Sequence, residues 1–284
     1  MAEKDILEKV LLSYADVFAD CVNSLAYGGR RRFRVEDMRP APTESFYRGS
    51  KRVHNQFCDL SYYLTDCGKI VLQCILGNET RLRKCQVLRK ASYQGGAYRG
   101  QLGTKGQIYP VIGMVLDWTG KRSRVPLSLH RLLALNGAAH EDLELVDEVQ
   151  LTVWHMNNLS EEIRKRFTSD MGFVVDYLNE GNFERRKNQK IVHAEALCEM
   201  MEALTKDTRF TDMIAKVRSR QEKGGAIIMC EYLDMLEEKG KEKGEKRLAS
   251  LLEKLYALGR DEDAKLAVRD EKARVRLYEE LCIC

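Results

Sequence analysis

Two short, almost unbroken apolar runs constrain this chain most: residues 70–76 (IVLQCIL) and residues 109–118 (YPVIGMVLDW). Runs of that length have no polar face to offer water, so each reads as a strand covered on both sides. Pro110 stands near the start of the second run, where a missing backbone donor is tolerated. Covering both sides of a sheet takes helices, and helical patterns stand beside the runs. Ile6, Val10, Tyr14, Phe18, Cys21 and Leu25 recur at spacings of three or four and predict one helix, closed by Gly28 and Gly29. Residues 81–98 predict a second helix, weakened by Gly95 and Gly96. Phe57, Leu60, Tyr62 and Leu64 suit a further strand, joined to the first run through a hairpin turn at residues 66–69 (DCGK). Helix, strands, helix, strand is the order of an α/β core with helices on a central sheet.

After Pro126 the pattern becomes helical. Residues 128–135, 160 onward, 193–204 and 212–220 predict helices, with Ser160 as a cap before Glu161 and Glu162. Residues 149–156 predict a last strand. Residues 237–247 (EEKGKEKGEKR) form a charged low-complexity run, in which Gly240 and Gly244 each weaken a helix by about 1 kcal/mol relative to alanine. Leu248, Leu251, Leu252 and Leu255 then make an apolar stripe with no evident cover. Self-association as a homodimer through these C-terminal helices is the expectation that follows. The chain thus divides into residues 1–157, an α/β domain, residues 158–236, a helical region, and residues 237–284, a glycine-interrupted helical tail. Residues 30–50 (RRRFRVEDMRPAPTESFYRGS), polar and holding two prolines, read as loop with room for a short extended piece.

No apolar run approaches the roughly 20 residues a membrane span needs, and the first residues are polar; a cytoplasmic protein is expected. Nine cysteines raise the question of zinc or disulfides. Cys58, Cys67, Cys74 and Cys85 offer no CxxC pair, so reduced, buried thiols fit better. The five histidines include no HxxxH or HExxH pair, and GxxxxGK[ST] and GxGxxG are both missing. The net charge of +4 conceals a polarised chain. Residues 30–52 hold eight basic and three acidic residues; residues 80–116 hold seven basic residues and no acid. Those stretches carry twelve net positive charges and leave the remainder at −8. A cationic surface concentrated in the first 120 residues suits a polyanion such as DNA.

Several phrases in this order resemble one family. FADCVNSLAYGG followed by VEDMRP is similar to the opening of the recombination-promoting nucleases and transposases, a branch of the PD-(D/E)xK nucleases. An acid at Asp59, then GNETR, Arg89 with Tyr93, YPVIGMVLDW, PLSLHRLL and the EKGKEKGEK repeat continue the resemblance over most of the chain. It implies a restriction-endonuclease-like core, a mixed central sheet flanked by helices, followed by an all-helical C-terminal region. It also implies DNA as substrate and Mg²⁺ as cofactor. The family places one acid on a strand and a Glu-x-Gln or acid-x-Lys on the next. Mg²⁺ takes hard oxygen ligands, polarises the scissile phosphate and lowers the pKa of the attacking water.

Carried onto this chain, the first acid matches Asp59, with Asp16 and Asp20 of the first helix as supporting acids. Counting back without gaps from Arg89, the second acid falls on Gly77 and the water-positioning residue on Glu79. One catalytic carboxylate is thus replaced by glycine. Two readings stand. In one the centre is degenerate and the chain acts as a DNA- or protein-binding module. In the other the centre has migrated, with Asp59 and Glu79 as metal ligands and Arg81 in the lysine role, since strand residues two apart share a face. Arg30, Arg31, Arg32, Arg83, Lys84, Arg89 and Lys90 are the candidate DNA contacts, and Tyr93 a supporting residue.

Overall fold

The computed structural model describes residues 9–48, 53–57, 59–102, 108–120, 125–212, 214 and 227–283. Its centre is a mixed five-stranded sheet in the order β1-β4-β5-β6-β7: β1 (Met38–Pro40), β4 (Leu60–Asp66), β5 (Lys69–Glu79), β6 (Val111–Asp117) and β7 (Val153–His155). The pairs β1–β4 and β4–β5 are antiparallel, while β5–β6 and β6–β7 are parallel. Two smaller pairs stand apart from it: β2 (Glu44–Arg48) with β3 (Val53–Phe57), and β8 (Lys190–Ile191) with β9 (Ile227–Ile228). The expected hairpin is present. Its two turn residues, Cys67 and Gly68, take positive φ of 47° and 76°, the sign that matches a tight turn to the twist of its strands.

Each face of the sheet is covered, as the apolar runs require. Helices α1 (Ala15–Ala26), α3 (Met171–Glu180) and α4 (Ala194–Thr205) cover one face. There Leu72, Cys74, Leu76, Met114 and Leu116 share a buried cluster with Phe18, Phe173 and Met200. Helix α2 (Gln86–Leu102) covers the other, where Val115 packs with Val87, Leu82, Leu132 and Leu151. The cluster on the first face draws residues from both sides of the boundary expected at 157/158, Phe18 and Leu76 before it and Phe173 and Met200 after it.

Several expectations need correction. The first helix is not continuous through Tyr14, whose extended ψ of 131° separates a helical segment at residues 9–13 from α1. The arginine-rich stretch is not loop throughout, since it supplies β1 and β2. The second helix begins at Gln86 rather than at residue 81. The expected helix at residues 212–220 lies largely outside the described residues. Beyond residue 228 a single helix, α5 (Met229–Ala257), runs through Gly240 and Gly244. It is followed by α6 (Asp261–Arg269) and α7 (Glu271–Glu280). The leucine stripe is covered: Leu251 and Leu255 are fully buried against Ala264, Ala267, Leu277 and Tyr278. The exposed apolar face that motivated a homodimer is thereby used inside the chain. Among the described residues, no helix is long and apolar enough to cross a membrane.

Candidate active site at the end of the mixed sheet

The β4–β5 register pairs Leu60 with Leu76, and one more step sets Asp59 opposite Gly77. Asp59 itself stands one residue before β4 rather than on a strand. Its carboxylate is occupied at both oxygens. The backbone N–H of Asn78 donates to Oδ2 at 2.7 Å, and Lys9 Nζ lies 2.5 Å from Oδ1. Lys9 comes from the helical segment ahead of Tyr14, which the sequence did not connect with this site.

Glu79 closes β5 and is met by α2. Gln86, Arg89 and Tyr93 fall at i, i+3 and i+7, which puts them on one helical face. Glu79 Oε1 accepts from Gln86 Nε2 at 2.7 Å and from Arg89 Nη1 at 2.6 Å, while Arg89 Nη2 donates to the Tyr93 hydroxyl at 3.0 Å. Burial alone pulls the Arg89 guanidinium toward neutrality; Glu79, then Tyr93 and Asp59, outweigh it and hold its pKa above the ordinary value. Glu79 of GNETR, Arg89 and Tyr93, separate landmarks in the sequence, are thus one hydrogen-bonded group. Behind it, Asn78 Oδ1 accepts from the Trp118 indole, and Trp118 N donates to the Glu79 carbonyl at 3.0 Å.

A second constellation escaped the sequence reading. Glu79 is in register with Asp117 of β6, and Asp117 with His155 of β7, so three titratable residues end three neighbouring strands of the same direction. His155 Nδ1 lies 2.6 Å from Asp117 Oδ2, and Thr119 donates to Asp117 from its backbone and its hydroxyl, both at 3.1 Å. The signal was there in principle. Each stands one residue before the end of a predicted strand, and ligand sites of open α/β sheets gather outside the carboxyl ends of parallel strands.

Other expected site residues go elsewhere. Arg81 lies past the end of β5, so the alternation that was to set it over Glu79 has already stopped, and it is exposed. The lysine role assigned to it therefore has no strand to stand on. Asp20 does not join the site. Its buried carboxylate accepts from Thr168 N, Thr168 Oγ1, Ser169 N and Ser169 Oγ at 2.7–3.1 Å, tying α1 to the turn before α3. Asp16 instead pairs with His193 Nε2 at 3.0 Å. Lys90 faces the sheet: Nζ donates to the Gln150 carbonyl at 2.5 Å, and burial lowers its pKa. Arg30, Arg31, Arg32, Arg83 and Lys84 are exposed.

The donor set does not fit Mg²⁺. Gly77 offers no ligand, Asp59 is paired with an ammonium, and Glu79 with a guanidinium. Among the described residues, no group of three histidine, cysteine or acidic side chains is placed to hold a metal ion. Comparison with family models, with curated proteins and with solved structures finds no match for this chain.

Proposed function

We propose that this chain is a DNA-binding protein built on the restriction-endonuclease-like core of the recombination-promoting nucleases, with a degenerate catalytic centre. One observation carries the reading: Asp59, just ahead of β4, Glu79 at the end of the neighbouring β5, and Arg89 and Tyr93 on the helix that follows meet at one end of a mixed sheet. The resemblance asked for an acid on one strand, a second site residue on the next, and an arginine and tyrosine beyond; Asp59 stands one residue ahead of its strand, and the other three keep that order. That long-range convergence supports it. The carboxylates are each neutralised from within the chain, which favours binding without cutting over the migrated centre. Exposed arginines at residues 30–32 and the basic turn at residues 81–84 supply the cationic surface.

The test is a gel shift of labelled duplex DNA, in EDTA and in Mg²⁺, run beside a plasmid-nicking assay with Mg²⁺ or Mn²⁺. Binding of equal strength with and without EDTA, a steep fall with salt, and no nicking are expected. Nicking that Asp59→Ala and Glu79→Ala both abolish would instead establish the migrated centre. Absence of binding at low salt removes the nucleic-acid reading altogether.

A further inference from the structure

We infer that Lys9 is a built-in counter-ion that closes the Asp59 centre to divalent cations, an internal contact made by the segment ahead of α1. The inference rests on the degenerate-nuclease reading above and adds the cause of the closure. Loss of the carboxylate at position 77 alone leaves Asp59 as an open monodentate ligand. What the structure adds is an ammonium 2.5 Å from Asp59 Oδ1, with side-chain exposures of 24% for Lys9 and 19% for Asp59. Attraction between charges strengthens as water is withdrawn from around them. A divalent ion approaching Asp59 therefore has to displace a partly shielded cation, and it finds no second carboxylate to offset that loss. The neighbouring acid is closed the same way, by Arg89.

The segment that delivers Lys9 is held by contacts other than the ion pair. Leu11 and Leu12 are fully buried in the main core. The Tyr62 hydroxyl donates to the Ser13 carbonyl at 2.7 Å, and Tyr14 stacks on His193 with ring centroids 3.7 Å apart. Removing the ammonium therefore opens Asp59 without detaching the segment. The backbone at position 77 admits a Cβ. A Cβ added at Gly77 meets only Val115 Cγ2 at 3.4 Å and Met114 O at 3.7 Å, both ordinary contacts. Restoring a metal centre then takes two changes, a carboxylate gained at 77 and a cation lost at 9.

Mn²⁺ binding, measured on the full chain by the electron paramagnetic resonance of free Mn²⁺, reads this without any activity. Four proteins are compared: wild type, Gly77→Glu, Gly77→Glu with Lys9→Gln, and Gly77→Glu with Lys9→Arg. The Lys9→Gln double variant should bind at least tenfold more tightly than Gly77→Glu alone, and the Lys9→Arg double variant should match Gly77→Glu. Where glutamate at 77 unfolds the chain by circular dichroism, Gly77→Asp replaces it throughout. Equal affinity of Gly77→Glu and its Lys9→Gln derivative overturns the inference, as does tight binding by the wild type. A folded double variant that gains no affinity overturns it too. A parallel gel shift separates the two claims: DNA binding by the wild type speaks to the function, and the Mn²⁺ series speaks to Lys9.

Discussion

At the scale of single residues, the site is a set of charges whose partners come from far along the chain. Glu79 is only 12% exposed and takes two donors on one oxygen, so removing Arg89 strands a shielded carboxylate. Arg89→Leu should cost about 1–3 kcal/mol of stability, the range for leaving a buried acceptor short of a donor, since Gln86 still donates to Glu79 and Arg89 is itself partly exposed. Arg89→Lys should recover only part of that, because one ammonium cannot reproduce a fork that meets Glu79 and Tyr93 from separate nitrogens. Urea unfolding of the two variants measures both, and a loss below about 0.5 kcal/mol for Arg89→Leu, the scale of ordinary surface changes, would mean that Glu79 rehydrates freely. Asp20 makes a second case. It looked like a site acid because the first helix of the resembling family carries one, yet the Thr168 and Ser169 donors take its whole carboxylate. Asp59, Glu79, Arg89 and Tyr93 were legible because each keeps its place in a linear order of landmarks. Lys9 was not, because a pairing across 50 positions leaves no local trace in the sequence, and although Asp117 and His155 each fall near the end of a predicted strand, their pairing across 38 positions leaves none either.

At the scale of elements, helix α2 shows how far a basic stretch can be read. Its arginines and lysines looked equivalent in sequence, but helical geometry sends Arg89 to Glu79 and Lys90 to Gln150, leaving Arg83 and Lys84 outside before the helix begins. Burial lowers the Lys90 pKa, so the folded chain binds this proton less well than the unfolded one. Its contribution therefore opposes folding at neutral pH, and that opposition fades as pH rises through the folded and then the ordinary lysine value. Lys90→Met should leave DNA affinity unchanged and flatten this alkaline part of the stability profile. Arg83→Ala and Lys84→Ala should each weaken DNA binding and lower the salt slope by about 1. Gel shifts across a salt series separate the three. The C-terminal helices teach the opposite lesson. A stripe of leucines is equally readable whether its cover comes from another copy or from helices further on. Here α6 and α7 provide it. A chain ending at Ala257 should therefore self-associate in sedimentation, while the full chain should not do so through this stripe. Leu255→Ala should destabilise the three-helix unit by about 2–5 kcal/mol.

At the scale of the whole molecule, the α/β class was legible because buried strands and amphipathic helices announce themselves through composition and period. The arginine-rich stretch did not, since its strands are short and carry charge and proline instead of alternation. That stretch now bears on function. Residues 30–32 follow α1 and lead toward β1, the edge strand beside β4, while residues 81–84 leave the far end of β5. If both belong to one DNA-binding surface, each phosphate they neutralise releases counterions on duplex DNA, lowering the salt slope by about 0.9 when it is lost. Replacing Arg30, Arg31 and Arg32 with alanine together should reduce that slope by roughly 2–3, and adding Arg83→Ala and Lys84→Ala should reduce it further by a similar amount per residue. These side chains are exposed, so unfolding midpoints should hold while affinity falls. A slope unmoved by the arginine triple, with the turn variants still weakening binding, would confine the DNA surface to the α2 side of the sheet. Loss of the slope with both sets, at unchanged stability, is the result expected of a single cationic face set beside a closed acidic centre.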